Sequence, residues 1–342
     1  MTSTAVSSRP SGDSPEPVAP ANRRSPGHLA LVILSRYGTL IGLALMLIVF
    51  TLRAPTVFPT LTNFTNILAQ GSLTAIIAAG LTYALVVGEF DLSIGYAASF
   101  AGLLVVGFMA IQGMPIWLAI ALMLVIGAGL GAVNGILVTK VRINAVIATL
   151  GVGTILIGAA FAYSPFPIVT NIPPEFSLLS LGRVIGVPNS IPIMVIVLAI
   201  LWVILNKTDL GQKMQAVGGN MEAARLSGIR VDRIKIFAFV VAGVCAALTG
   251  IMLSSLLGSG TSSAANGYLL NAFAAVFLGS ATLRDGEFHI VGTLVGVLII
   301  VVGFNGLSIF GAPSWAQQVF SGGILILAVG LSTLSRRILK AS

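Results

Sequence analysis

The chain has 342 residues, of which 56% are hydrophobic and 8% charged, and its mean hydropathy is +1.04. A soluble protein of this composition would expose large apolar patches, so the composition excludes a soluble globular domain and indicates that lipid surrounds most of the chain. The net charge is +8, but the basic residues lie at the ends of apolar segments rather than along one helix face, which argues against a nucleic-acid-binding surface.

The first third of the chain predicts a polar tail and three membrane spans. Residues 1–28 are rich in serine and proline and predict a disordered cytoplasmic tail, followed by one transmembrane domain over residues 29–342. Prolines separate the first two predicted spans, and a polar tetrapeptide, Gly-Glu-Phe-Asp, precedes the third. Asp91 is predicted to cap this third helix. The three predicted spans cover residues 37–52, 67–87 and 92–111.

The rest of the chain alternates long apolar runs with short polar connections. A proline-rich loop at residues 164–189 predicts an ordered lid or entrance, and the polar stretch 206–235 predicts a cytoplasmic loop. The uncharged runs 236–283 and 288–335 are each long enough for two spans of roughly 20 residues. Turns are predicted near residues 258–267 and 305–314, and further spans at residues 116–139, 144–163 and 190–205. The sequence therefore predicts an all-α integral membrane protein with about ten transmembrane helices.

The distribution of basic residues predicts the orientation of these spans. If the N-terminus lies in the cytoplasm, every lysine and arginine except Arg53 and Arg183 falls on the cytoplasmic side. Membrane insertion imposes this bias, and one span more or fewer would move several basic clusters outside. We therefore expect a multi-pass protein of the bacterial plasma (inner) membrane with both termini in the cytoplasm.

A spacing of glycines and asparagines suggests internal duplication. Asn134-Gly135 precedes Gly151-Val152-Gly153 by 17 residues. Asn305-Gly306 precedes Gly322-Gly323 by the same 17 residues. The two asparagines are predicted at opposite faces of the membrane, as in the inverted repeats of many transporters. This favours an inverted repeat of spans 2–5 and 7–10. The alternative is coincidence in a chain with 39 glycines.

The sequence shows no catalytic or metal-binding motif. It has no paired-histidine motif, no phosphate-binding glycine loop, and one cysteine, Cys245. We therefore expect no catalytic residue, no metal site and no cofactor. Glu89 and Asp91 lie at a predicted helix break, where a loop charge and a helix cap are favoured over ion coupling. The driving force for transport is then expected to come from a partner.

Small polar side chains provide candidates for a transport pathway. They offer hydrogen bonds to a solute, but the alternative, close packing of helices, is favoured for most of them. The candidates for the pathway or the helix break are Glu89, Asp91, Ser93, Asn134 and Thr149, and other small polar candidates are Ser72, Thr74, Thr82, Ser99 and Thr154.

A short helix is predicted in the cytoplasmic loop. Asn220 is a good N-cap, Glu222 lies in the first turn, and Gly228 suits the position after the helix end. A small apolar face with Arg225 as a polar anchor would fit a groove on another protein, and a helix lying on the membrane surface is the alternative. The predicted apolar face consists of Met221, Ala224 and Leu226.

At these residues the chain resembles the permeases of ATP-binding-cassette (ABC) importers, and more narrowly the ribose, xylose and arabinose type of the branched-chain amino-acid permease superfamily. The segment 218–229, Gly-Gly-Asn-Met-Glu-Ala-Ala-Arg-Leu-Ser-Gly-Ile, is similar to the coupling motif of that family. Residues 88–95, Gly-Glu-Phe-Asp-Leu-Ser-Ile-Gly, resemble its Gly-Gly-Ile-Asp-Leu-Ser-Val-Gly, and the main departure is Glu89 and Phe90 in place of Gly and Ile. Since this departure lies near the predicted pathway, it leaves the identity of the sugar open.

The resemblance implies a permease subunit that imports a monosaccharide, such as a pentose, a related simple sugar or a polyol. It further implies a second permease subunit, identical or paralogous, two ABC ATPase subunits that use the ATP, and an extracytoplasmic solute-binding protein. The implied ATPase-coupling helix comprises Gly218, Gly219, Asn220, Glu222, Ala223, Ala224, Arg225 and Gly228. The alternatives are a nucleoside or branched-chain amino-acid importer, and a stand-alone channel or ion-coupled carrier.

Overall fold

The computed structural model describes residues 26–280 and 286–341, which are predominantly helical. The predicted tail lies outside the described residues as far as residue 25. The helices are α1 (Pro26–Arg53), α2 (Leu61–Val86), α3 (Ile94–Ala110), α4 (Ile116–Thr139), α5 (Ala145–Tyr163), α6 (Pro174–Leu181), α7 (Ser190–Lys207), α8 (Asp209–Gly219), α9 (Met221–Leu226), α10 (Val231–Leu257), α11 (Asn266–Ser280), α12 (Ile290–Ile309) and α13 (Ser314–Ala341). A short antiparallel pair, β1 (Arg183–Val184) and β2 (Val187–Pro188), precedes α7.

Six of the described helices, α2, α4, α5, α7, α10 and α12, are long and apolar enough to cross a membrane. Tyr37–Arg53 of α1 and all of α3 are shorter apolar helices. A helix lies at the position of every predicted span, and α4 has the predicted bounds. The turn predicted near residues 305–314 lies between Ile309, where α12 ends, and Ser314, where α13 begins. The chain is thus an all-α membrane protein, as predicted.

Close approach through small residues packs α10 against α4. A side chain at Gly127 or Gly131 of α4 would collide with the backbone or side chains of α10, including the carbonyl oxygen of Phe239. Gly243 of α10 lies equally close to Gly127. Small residues allow helix backbones to approach in lipid, where apolar burial alone gives little drive for association.

Hydrogen bonds join α2 to its neighbours within the bundle. The side-chain amide of Asn63 in α2 donates to the side-chain oxygen of Asn305 in α12 at 3.1 Å. The Asn305 amide donates back to the Asn63 side-chain oxygen at 2.8 Å. The Tyr83 hydroxyl donates to the carbonyl of Leu201 in α7 at 2.6 Å. Cys245 of α10 is buried against Gly80 of α2. The central helix α2 therefore contacts α7, α10 and α12 through specific polar or small residues.

The proline-rich loop, which was predicted to be an ordered lid or entrance, contains α6 and the β1–β2 hairpin and is attached to α10. Ser180 of α6 donates through its hydroxyl to the Met252 carbonyl, and Ser255 of α10 donates to the Phe176 carbonyl, both at 2.7 Å. The side chain of Phe176 is fully buried. The tip of the β1–β2 hairpin is Ile185, whose exposed fraction is 98%.

Candidate functional site

The loop between α2 and α3 folds back into the protein. Gly88 adopts a positive φ of 82°, which a glycine accommodates without strain, and turns the chain at the end of α2. Asp91 lies in this loop, yet only 1% of its surface is exposed. Its Oδ1 accepts hydrogen bonds from the Ser93 backbone N–H at 2.9 Å and the Ser93 hydroxyl at 2.6 Å.

The predicted helix cap at Asp91 is therefore wrong. Asp91 forms a local side-chain turn with Ser93, two residues along the chain, and α3 begins only at Ile94. Such turns compete with helix formation because an aspartate oxygen satisfies the nearest backbone N–H outside the helix. Asp91 thus fixes the shape of the loop rather than the end of α3.

Four of the five predicted pathway residues meet in one network, which we call the polar cluster: Asp91, Ser93, Asn134 and Thr149. The Asn134 side-chain N–H donates to the Ser93 hydroxyl at 2.8 Å. The Thr149 hydroxyl accepts from the Leu92 backbone N–H at 3.0 Å. All four side chains are buried. Asn134 and Thr149 therefore hold the loop against α4 and α5.

The surroundings of Asp91 disfavour its charged form. Burial raises the pKa of this carboxyl to about 6, although the hydrogen bonds from Ser93 act in the opposite direction. The Asn134 side-chain oxygen is also buried and has no hydrogen-bond partner among the described residues. The cluster therefore combines a carboxyl group with an unused acceptor inside the protein.

Glu89, the fifth predicted residue, forms an ion pair with Lys235 near the start of α10. The Glu89 carboxylate and the Lys235 ammonium lie 2.5 Å apart, and their side chains are 15% and 13% exposed. The sequence prediction missed Lys235. The sequence does place an acidic and a basic residue at cytoplasmic ends of predicted spans. Such ends carry many charged residues, however, and the sequence does not show which two of them form an ion pair.

Phe90 faces a different neighbour. Its ring stacks on Phe273 and Phe277 of α11 with centroids 6.2 and 6.4 Å apart, and its exposed fraction is 40%. Glu89 and Phe90, the main departure from the resembled motif, therefore contact different helices: Glu89 contacts α10 and Phe90 contacts α11.

The short helix predicted in the polar stretch after α7 has the predicted ends. The Asn220 side-chain oxygen accepts from the Ala223 backbone N–H at 3.0 Å, which caps α9, and Gly228 follows the helix with a φ of 82°. A further helix that was not predicted, α8, directly precedes α9. It begins after Thr208, whose hydroxyl accepts from the Gly211 N–H at 3.2 Å.

One member of the predicted apolar face points the other way. Met221 and Leu226 are 42% and 83% exposed, but Ala224 is only 4% exposed and packs in the core. The face is thus smaller than predicted, because α9 lies on the protein with Ala224 beneath it. The remaining predicted residues of this helix are exposed: Gly218, Gly219, Asn220, Glu222, Ala223, Arg225 and Gly228.

Most of the other small polar candidates are helix-packing residues. Ser72 donates to the Leu68 carbonyl in its own helix, Thr82 shares a hydrogen bond with Thr293, and Ser99 donates to Asn266. Thr154 on α5 differs, because it is exposed. Over residues 26–280 and 286–341, no three acidic, histidine or cysteine side chains lie close enough together to hold a metal ion.

Comparisons with known proteins identify the family. The family described as "Branched-chain amino acid transport system / permease component" matches residues 63–329. The ribose import permease protein of Bacillus subtilis is 38% identical over 87% of this chain and 92% of its own. The D-allose transport system permease protein of Escherichia coli is 32% identical over 92% of this chain and 96% of its own length. The L-arabinose transport system permease protein of Escherichia coli is 33% identical over 87% of this chain and 90% of its own length. No solved structure matches the chain with significance. The chain belongs to the family of branched-chain amino acid transport system permease components.

Proposed function

We propose that this chain is the transmembrane permease subunit of an ABC importer that moves a monosaccharide, such as a pentose, a related simple sugar or a polyol, into the cytoplasm. The observation that carries the proposal is the identity of 32–38% with ribose, D-allose and L-arabinose permeases over most of both chains. The chain itself is a transport subunit, holds no cofactor, and uses ATP through a separate ATPase subunit.

The exposed surface of α9 is the proposed contact with the ATPase. Glu222, Arg225 and Leu226 are exposed on a capped helix that rests on the protein through Ala224. A short helix of this kind fits a groove on a partner because its residues are presented without further folding. A complete transporter would contain two permease subunits, identical or paralogous, two ATPase subunits and an extracytoplasmic solute-binding protein.

The proposed membrane topology has ten spans and both termini in the cytoplasm, and α2–α5 and α10–α13 are proposed as inverted repeats. The packing supports the repeat, because equivalent helices have equivalent neighbours. The helix pairs α4–α10, α3–α10 and α3–α5 correspond to α12–α2, α11–α2 and α11–α13, and all six pairs are in contact. This correspondence supports the repeat independently of the glycine spacing.

Uptake into reconstituted vesicles tests the function. We expect no solute uptake by the purified chain alone, and ATP-dependent sugar uptake once the ATPase and the binding protein are added. Ribose, allose and arabinose, each offered with the cognate binding protein, would define the solute. Robust uptake driven by an ion gradient alone would contradict the proposal.

Replacement of Glu222 tests the coupling surface. The side chain is exposed, so Glu222→Ala should fold and insert normally while ATP hydrolysis loses its dependence on transport. Gln212→Ala, at an exposed position of α8 outside the predicted contact, is the matched control and should retain coupling. Normal coupling in Glu222→Ala would show that this side chain is not part of the ATPase contact.

Thiol labelling tests the topology. A polar maleimide should label Ile185→Cys at the hairpin tip in intact cells, but should label Glu222→Cys only after the membrane is permeabilised. Both side chains are exposed, and the native Cys245 is buried. Labelling of Glu222→Cys from outside would reverse the proposed orientation.

A further inference from the structure

The ion pair of Glu89 and Lys235 stands apart from the other ion pairs of the described residues. Its side chains are 15% and 13% exposed, whereas those of Lys140–Asp232 and Lys213–Asp209 are between 38% and 79% exposed. Removing one partner of a shielded pair leaves a charge with little solvent, which is costly, whereas exposed pairs contribute little. The Glu89–Lys235 contact is therefore a firm connection between the α2–α3 loop and α10.

The Lys235 side of this contact continues into the coupling helix. After α9, the N–H of Gly228 donates to the Arg225 carbonyl at 3.0 Å and that of Ile229 donates to the Ala224 carbonyl at 3.1 Å. Ala224 shares one hydrophobic core with Val231 and Ile234 of the first turn of α10. These contacts attach α9 to the first turn of α10, which directly precedes Lys235.

The Glu89 side continues into the polar cluster. Glu89 is two residues from Asp91, and its own backbone N–H donates to the Ala84 carbonyl at 2.9 Å, which attaches it to the last turn of α2. The loop beyond it is held by Asn134 of α4 and Thr149 of α5. A displacement of Glu89 is therefore passed to α2, α4 and α5 together.

We infer that Glu89 and Lys235 form a positioning pair that transmits movement of the ATPase-coupling helix to the α2–α3 loop and the polar cluster. This inference rests on the proposed function and names a route within it. Energetic coupling between two sites is carried by packed side chains, hydrogen bonds and ion pairs, and coupling measurements test such a route. The contacts from α9 through Lys235 and Glu89 to Asp91 provide one, and neither residue needs to touch the solute.

The test uses the complete transporter in vesicles, with its ATPase and binding protein. Glu89→Gln and Lys235→Gln each remove one charge, and the charge-swap variant Glu89→Lys/Lys235→Glu restores the pair in the opposite sense. The readouts are solute transported per ATP hydrolysed and the melting temperature. We expect each single variant to lower the transport-to-hydrolysis ratio about 5-fold or more. The charge-swap variant should regain most of this loss.

The exposed pair Asp209–Lys213 provides the matched control. It joins residues four apart on α8, and Asp209→Asn or Lys213→Gln should leave the ratio unchanged. The positioning role would be overturned if both single variants kept the wild-type ratio, even with lowered melting temperatures. It would also be overturned if the charge-swap variant melted like the wild type but remained uncoupled.

Failure of the inference differs from failure of the proposed function. If the wild-type transporter takes up sugar with ATP and the variants remain coupled, only the positioning role is lost. If the wild-type transporter shows no ATP-dependent uptake, the proposed function is lost. Should the single variants not insert, the comparison of the charge-swap variant with the wild type decides the inference.

Discussion

The backbone of Gly218 in α8 lies directly against the carbonyl oxygen of Val86 at the end of α2. No side chain fits between them, so α8 touches the last turn of α2. Val217 and Met214 of α8 are buried in the same core as Val86. The glycine of the resembled coupling motif therefore has a packing role inside the permease as well as its predicted place at the ATPase contact.

Substitution of Gly218 should disturb this contact. We expect Gly218→Ala to lower the free energy of unfolding by about 1–3 kcal/mol, because the added methyl group overpacks the site. Thermal melting in detergent measures this. The neighbouring Gly219→Ala is the matched control, because a Cβ there meets no atom within 4 Å. Equal melting temperatures for the two variants would show that α8 shifts enough to accommodate the added methyl group.

The polar cluster predicts a pH dependence of stability. The pKa of Asp91 is about 6 in the folded protein, against 3.8 for an ordinary aspartate. The folded state therefore binds the proton of Asp91 more tightly than the unfolded state does. This proton contributes to the stability of the fold in full below pH 3.8, and the contribution is lost as the pH rises through 6. Between pH 5 and pH 8 the wild type should lose about 1 kcal/mol of stability through this group.

The comparison that isolates this effect uses Asp91→Asn. Asparagine does not titrate, and its side-chain oxygen still accepts the hydrogen bonds from Ser93. The wild type should therefore melt at progressively lower temperature relative to Asp91→Asn as the pH rises from 5 to 8. Parallel melting curves over this range would contradict a buried, titrating carboxyl group.

The cap of α9 predicts the consequence of losing one side-chain oxygen. Asn220→Ala removes the hydrogen bond to the Ala223 N–H and should destabilise α9 by about 1 kcal/mol. Faster hydrogen exchange at the α9 amides and weaker binding of the ATPase would report this. Asn220→Asp keeps the acceptor and should restore both. If Asn220→Ala bound the ATPase normally, the capped shape of α9 would not matter for the contact.

The amide pair of Asn63 and Asn305 predicts a measurable coupling within the bundle. Each single change to leucine removes both mutual hydrogen bonds and leaves the other amide without this partner. A double-mutant cycle, measured by unfolding in detergent, should give a coupling energy of about 1 kcal/mol. Strictly additive changes would show that solvent replaces the lost bonds.

Features that depend on local sequence were predicted well. The bounds of α4 follow from an uncharged apolar segment that ends at a cluster of basic residues, and the ends of α9 follow from Asn220 and Gly228. Each of these signals acts within one helical turn or one apolar run. They can therefore be recognised from the chain without knowing which helices are neighbours.

Features that depend on tertiary contacts were not predictable in the same way. Asp91 was expected at a helix end, but it is buried, and side chains of α4 and α5 hold the loop that carries it. Ala224 and Leu226 were both assigned to the apolar face of the short helix, and only the position of α9 on the protein decides which of them is covered. The pairing of Glu89 with Lys235 spans 146 positions of sequence, so only the folded bundle reveals it.

The burial of Cys245 against Gly80 makes the native chain a convenient background for spectroscopy. Its thiol is enclosed between α10 and α2, so water-soluble probes should leave it unmodified in the folded protein. Fluorophores or spin labels attached to engineered surface cysteines would then report distances without first mutating the natural residue. Conversely, modification of Cys245 would signal that these two central helices have separated.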